Sequence, residues 1–315
     1  MRKQIVAIAC SDLHLSLKPP LARANEPNWL EAQKRTVDQI RDLAEKYEAP
    51  ILCAGDLFDK WNSPVELVNW AIENLPTMYC IPGQHDLPFH DINSIHKSAY
   101  WTLVKALKII HVKNDGSMIN SNWEHSIAPF LIENRNIHLQ GFSWGQPLEP
   151  PNLIGGKLNI ALIHQYLWTE GSSYPGAPEE SRLGKTLPGS KGWNVVVFGD
   201  NHKGFSTRCK EVSVFNCGGF QRRKSDEIDY SPQVGLIYED GSVEPFYLNC
   251  DEDIIVKTES AKQIKNDMQL TDFLESLTNL KSSNLDFEET MKQVLEEKKP
   301  SHEVWKTILE AMETK

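Results

Sequence analysis

QIVAIACSDLHLS, residues 4 to 16, decides how this chain is read. The run from Ile5 to Cys10 is apolar without a break and has the length of a strand, which marks a strand buried on both faces. It ends in no turn residue but passes straight into Ser11, Asp12, Leu13 and His14. Asp12 and His14 stand two apart, so in an extended segment both side chains project to one side.

The same construction recurs along the chain. PILCAGDLFD, residues 50 to 59, ends in Asp56 and Asp59, and TMYCIPGQHDLP, residues 77 to 88, ends in Gln84, His85 and Asp86. LNIALIHQ delivers His164, and NVVVFGDNHKG delivers Asp200 and His202, again two apart. A lone histidine beside an apolar run is usually a hydrogen-bonded structural residue, and an isolated Gly-Asp usually means a turn. Repetition decides against both readings, because five unrelated turns would not each place an acid or an imidazole directly after a buried strand. In an open α/β sheet ligands gather outside the carboxyl ends of the strands, so the five clusters are expected to converge. His90, His96, His111, His125, His138 and His302 lack that context and receive no role.

Helical patterns alternate with the early strands. Trp29 to Tyr47 places Trp29, Leu30, Val37, Ile40 and Leu43 at helical spacing; Pro64 to Leu75 and Ser94 to Leu107 are further helices, and KIIHV is a fourth strand. After about residue 120 strands dominate: IAPFLI, NIHLQGFSW, LNIALIHQYLW, NVVVFGD, EVSVFNCGG and VGLIYEDGSVEPFYL, the last a hairpin around Asp240-Gly241. This predicts an α/β protein with two facing sheets and helices outside. The Gly-, Ser- and Pro-rich segment between Trp168 and Trp193 is long enough to predict a functional or mobile loop. From residue 256 the chain turns polar and helical, with one stripe at Leu270, Phe273, Leu274, Leu277 and Leu280 and another at Val304, Trp305, Ile308, Leu309 and Met312. A small cap and a docking element both fit these stripes.

A net charge of -10 excludes a protein coated with nucleic-acid-binding surface, but not a local basic patch. Lys203, Arg208 and Lys210, with QRRK from Gln221 to Lys224, form such a candidate, and nearby Asp226, Glu227 and Asp229 would balance it on an ordinary solvated face. No apolar stretch approaches the ~20 residues of a membrane helix. No signal-cleavage pattern follows the N-terminus, so a cytoplasmic protein is expected. None of the six cysteines forms a C-x-x-C pair, and they read as reduced and structural.

The five clusters together resemble the calcineurin-like metallophosphoesterase superfamily, whose motifs run D-x-H, G-D-x-x-D, G-N-H-D, H and G-H-x-H in that order. Here they are Asp12-Leu13-His14, Gly55-Asp56-Leu57-Phe58-Asp59, Gly83-Gln84-His85-Asp86, His164 and Gly199-Asp200-Asn201-His202. The resemblance implies a two-sheet sandwich of βαβ units flanked by helices over residues 1–255, with residues 256–315 as a helical appendage. It implies two divalent ions, Mn²⁺ first and Mg²⁺ next. Asp12, His14, Asp56 and His202 would hold one, while Asp56, Gln84, His164 and Asp200 would hold the other. His85 would act on the substrate, Asp86 would orient its ring with Gly83 permitting the turn, and Asp59 would steady a ligand or simply start a helix. Gln84 stands where the family has Asn, and Asp200 where it has His. The second site is therefore either a harder, oxygen-rich one or a weak one.

SDLHLS, GDLFD and NCGGFQRRKSDE look most like SbcD-type DNA repair nucleases, especially short phage-like versions. That implies a phosphodiesterase on DNA, with Lys203, Arg208, Arg222 and Arg223 along the backbone path, and an SbcC-type ATPase docked on the C-terminal helices. A homodimer is also open. Two other readings stand beside it, a phosphodiesterase or phosphatase for small nucleotides and a catalytically weakened binding module. Retention of His85 speaks against the last.

Overall fold

The computed structural model describes residues 3–120, 132, 134–152, 155–184 and 187–256. The stripes expected beyond residue 256 lie outside the described residues, as does most of the strand expected at IAPFLI.

One sheet is built from β1 (Ile5–Cys10), β2 (Ile51–Cys53), β3 (Met78–Cys80) and β4 (Ile109–Val112), all parallel. Helices α1 (Trp29–Tyr47), α2 (Val65–Asn74) and α3 (Ala99–Lys105) supply the three crossovers. The short β5 (Met118–Ile119) adds antiparallel to β4. At the other edge β11 (Gln233–Tyr238) lies antiparallel to β1, with β12 (Val243–Tyr247) beyond it across the hairpin at Gly241. The second sheet runs β6 (Ile137–Phe142), β7 (Leu158–His164), β8 (Val195–Gly199), β10 (Val212–Asn216) and β9 (Phe205–Cys209). Only β9 is antiparallel to its neighbour there.

Side-chain alternation sorts the core into layers. Ile160 and Leu162 of β7 and Val195 and Val197 of β8 face the first sheet, meeting Leu52, Ala54, Tyr79 and Ile110. Ala161, Ile163, Val196 and Phe198 face outward. On the first sheet Ile8, Cys10, Ile51, Cys53, Met78 and Cys80 turn to the helices and meet Val37 and Ile40 of α1, Leu67 of α2 and Leu103 of α3. A bulge between Ile5 and Ala7 puts Val6 and Ala7 both into the inter-sheet core. Each fully buried side chain of this size contributes about 1.5–3 kcal/mol. No disulfide forms: all six cysteines are free, and Cys10, Cys53 and Cys80 lie side by side in register across three strands.

Two expectations change. The pattern from Ser94 to Leu107 divides at Ser98, whose side chain accepts from the Trp101 N–H; a 3₁₀ turn precedes it and α3 follows. Helices cover only the first sheet among the described residues. The outer face of the second is covered by the long segment itself, through Leu167, Leu187 and Trp193. That segment is a lid over the core, held where the buried Asn201 amide donates to the carbonyls of Leu167 and Ser172 at 2.8 and 2.9 Å.

Candidate metal centre

The carboxyl ends of β1, β2, β3, β7 and β8 meet at one edge of the sandwich, and four of the residues there have left-handed backbones. Asp12 has φ 55°, His14 45°, Asp56 52° and Asp200 87°. Such residues cost roughly 1–3 kcal/mol each and persist only where neighbours over-determine them. Here the loops after β1 and β2 run on as a pair: Asp12 N donates to Gly55 O at 2.9 Å, His14 N to Asp56 O at 3.0 Å and Leu15 N to Leu57 O at 2.9 Å. Asp200 N donates to both Asp12 carboxylate oxygens at 3.1 and 3.2 Å.

Asp56 is the centre of the cluster. Its Oδ1 accepts from the His85 N–H at 2.9 Å, while Oδ2 lies 3.7 Å from His14 Nε2, 3.4 Å from His164 Nε2 and 4.0 Å from His85 Nε2. His14 Nε2 and His202 Nε2 face each other at 3.0 Å, with Asp12 Oδ1 3.9 and 3.8 Å from them. His164 Nδ1 meets Ala54 O at 2.6 Å, and since a carbonyl only accepts, Nδ1 carries a proton and Nε2 is the nitrogen that faces inward. Asp56 Oδ2, Gln84 Oε1 and His164 Nε2 are buried without a hydrogen-bond partner.

The two departures from the expected motif touch each other. Gln84 Nε2 donates to Asp200 Oδ1 at 2.9 Å, which leaves Gln84 Oε1 free to turn inward. A longer amide thus reaches a shorter acid, and the two substitutions form one unit. Gly83 is needed for close approach, not for a turn: its backbone is extended, and a Cβ there would stand 2.1 Å from Asp56 Oδ1.

The buried ionisable groups at this edge are displaced strongly from their ordinary ranges. Burial drives Asp12 well above the usual carboxylate range. Burial opposes ionisation of Asp56 too, but the His164 imidazolium outweighs it and holds Asp56 below its usual range. At His164 burial works against the charge and Asp56 overcomes it, raising the pKa to about 10; burial lowers His14 well below the usual value and His202 to about 4. Donor atoms of Asp12, His14 and His202 lie within 4.8 Å of one another, as do those of Asp12, Asp56 and His164. Mixed imidazole and carboxylate donors at a buried edge fit divalent cations.

Comparison with known proteins agrees. The family model for calcineurin-like phosphoesterases matches residues 5–204, well over half the chain. The chain belongs to the calcineurin-like phosphoesterase family. No curated protein matches it in sequence. Among solved structures it is similar to a candidate 5′-nucleotidase from Staphylococcus aureus in complex with alpha-ketoglutarate, with TM-score 0.42 and 11% identity over 82% of this chain. The chain spans 57% of that protein's length. It is also similar to TT1561 of Thermus thermophilus, with TM-score 0.40 and 13% identity over 77% of this chain and 98% of the other. A third likeness is to the sulfate thiohydrolase SoxB of Thermus thermophilus in complex with glycerol, with TM-score 0.42 and 11% identity over 87% of this chain and 62% of the other.

In this phosphoesterase the other expected site residues fall into two sets. Asp86 does not orient the His85 ring. It is fully buried, and its carboxylate accepts from the N–H groups of Leu57, Phe58 and Gly83 at 3.1, 3.0 and 3.0 Å, clamping the second motif to the third. Burial, with Asp56 beside it, raises its pKa to about 7. The His85 ring is set instead by Asp59, whose carbonyl meets Nδ1 at 2.8 Å. The Asp59 carboxylate lies 3.8 Å from His14 Nδ1 and accepts from Arg223 Nη2 at 2.7 Å.

Arg223, which also donates to the His14 carbonyl, is the expected basic residue that touches the cluster. Lys203 Nζ reaches the Ser173 carbonyl at 2.7 Å, on the lid segment. Arg222 Nε turns away to the Tyr230 carbonyl at 2.7 Å. Arg208 is not brought to the site: it lies toward the end of β9 remote from His202, bonded to the carbonyls of Lys210 and Glu211. The phosphoesterase has no helix among its described residues long and apolar enough to cross a membrane.

Proposed function

We propose that this phosphoesterase is a metal-dependent phosphodiesterase that cleaves DNA, with Mn²⁺ as its working ion. One observation carries the metal chemistry: buried donor atoms without hydrogen-bond partners, Asp56 Oδ2, Gln84 Oε1 and His164 Nε2, converge beside the paired His14 and His202 nitrogens. Asp12, His14, Asp56 and His202 would hold one cation, and Asp56, Gln84, His164 and Asp200 the other. When bound, such a pair supplies Lewis-acid polarisation of a phosphoryl group and a nucleophilic water at neutral pH. The oxygen donors of Gln84 and Asp200 favour Mn²⁺ or Mg²⁺ over softer ions.

The chain's own residues do the rest. With Nδ1–H held by the Asp59 carbonyl, His85 presents Nε2 to the substrate side, its side chain 42% exposed. In the protonated ring, Nε2–H can give its proton to the leaving oxygen as the P–O bond breaks. Arg223 fixes the His14 and Asp59 loops together and adds a positive charge beside the phosphate path. Partnership with an SbcC-type ATPase through residues beyond 256 belongs to the same reading; deletion of residues 260–315 is expected to abolish capture of that ATPase.

A phosphodiesterase or phosphatase for small nucleotides is the second reading, favoured by Arg208 and Arg222 being tied to carbonyls away from the cluster. Hydrolysis of single- and double-stranded DNA, bis(p-nitrophenyl) phosphate and nucleotide monoesters with Mn²⁺, Mg²⁺ or chelator separates the two. Mn²⁺-dependent cleavage of DNA and of the small diester is expected. Cleavage of nucleotide esters alone would move the protein to the second reading, and activity that survives chelator would overturn both.

A further inference from the structure

The metal cluster leaves a set of aromatic rings along its rim without a task. Trp61 and Phe89 stand 6.0 Å apart, and His90 and Trp144 5.3 Å apart. Phe89 and His90 are consecutive, so the two pairs follow each other along the chain and are taken together as a row. The row runs into a cavity of about 370 Å³ lined by Trp144, Gln146, Gln165 and Tyr166, whose wall includes His164 and Asp200. That cavity therefore opens on the cluster itself.

Two backbone contacts fix the row relative to the chemistry. Trp144 N donates to Pro82 O at 3.3 Å, just before the third motif, and the Asp59 carbonyl that sets His85 lies two residues ahead of Trp61. The row's outermost member is held at a cost. Phe89 is 85% exposed, and both Phe89 and His90 have left-handed backbones, with φ 54° and 59°. An apolar ring presented to water on strained backbone is a feature that persists where it is used.

We propose that this row is a stacking track for the bases of an unpaired polynucleotide strand, with the base next to the scissile phosphate entering the Trp144–Tyr166 cavity. The proposal rests on the phosphodiesterase reading and names its substrate class. Stacking suits the charge of the molecule: with a net charge of -10 and few cations at the cluster, phosphate neutralisation can supply little affinity, whereas every base has a face to offer an aromatic ring. Size suits the unpaired strand: at about 370 Å³ the cavity is at the lower end of the roughly 300–1,000 Å³ of small-ligand pockets, room for one base turned out of a strand.

The test uses the full chain and variants Phe89→Ala, Phe89→Tyr and Trp144→Ala. Binding of a fluorescein-labelled oligothymidylate and of a duplex of equal length is measured in chelator, where no strand is cut; hydrolysis of bis(p-nitrophenyl) phosphate is measured with Mn²⁺. The single strand is expected to bind better than the duplex and to bind about tenfold more weakly to either alanine variant, with Phe89→Tyr close to the parent. Small-diester hydrolysis by the parent reports on the phosphodiesterase reading, and the melting temperature of each variant shows that it is folded. Equal strand binding by parent and alanine variants, or preference for duplex, would overturn the track while leaving the phosphodiesterase reading intact. Ring-dependent strand binding by a protein that hydrolyses no diester would keep the track and sink that reading. Binding of a partner protein at Phe89 with no oligonucleotide affinity would also overturn the proposal.

Discussion

The two sheets contribute to the centre in different ways. Residues from the first sheet brace themselves: the loops after β1 and β2 are laced backbone to backbone, and the Asp86 carboxylate clamps the third motif onto the second. Residues from the second sheet are located from across the gap, His164 by the Ala54 carbonyl and Asp200 by the Asp12 carboxylate and the Gln84 amide. The first edge is thus a template and the second is set against it. Damage to the first should spread to both halves of the centre, and damage to the second should stay local.

The sharpest way to break this asymmetry is Asp56→Asn, which alters the group facing His14, His164 and His85 together. Hydrolysis of a small phosphodiester should fall by about 10²–10³-fold, with loss of bound metal by elemental analysis. Asp86→Ala comes next, and its effect is on stability. Three buried N–H groups lose their acceptor, so denaturant unfolding should show a loss of roughly 3 kcal/mol, with activity falling as the template loosens.

A smaller and more local effect is expected at the second edge. Gln84→Asn withdraws the amide from Asp200, and calorimetric titration should show one class of Mn²⁺ site weakened about tenfold while the other holds. Combining it with Asp200→His should restore more affinity than the single changes predict, because the two positions form one unit. Uniform weakening of both sites would remove the distinction between the edges. The smallest effect is away from both. At Glu26 burial would raise the carboxyl, but the Ile254 N–H and Arg23 outweigh it and lower the pKa. Its contribution to stability is present above its unfolded value and is lost as pH falls, so Glu26→Gln should lower the melting temperature modestly at neutral pH, and the difference from the parent should shrink as the pH falls.

The candidate ligands were legible because each follows an apolar strand, and strand direction alone carries them to one edge. What escaped the sequence depends on partners distant along the chain. Asp86 looks like a histidine's companion because it follows His85, and nothing local reveals that three backbone donors would claim it. Arg208 looks like part of a basic patch until FSTRC proves to be a strand leading away from the site, and adjacent Arg222 and Arg223 bond on different sides. The aromatic row draws on positions 61, 89, 90 and 144, whose proximity no periodicity records. Its one local hint is Pro88-Phe89-His90, an apolar ring placed directly after a polar motif.

The left-handed backbones of Asp12, His14, Asp56 and Asp200 bear on how this sequence would drift. Glycine occupies such conformations without strain and carries no charge into a buried edge, so at each of these positions the residue best suited to the backbone is one that cannot do the chemistry. The most stable sequences for this scaffold are therefore inert ones. In a lineage where the activity is no longer selected, these positions should be among the earliest to change, and a descendant that folds better than its ancestor would be a sign of lost catalysis.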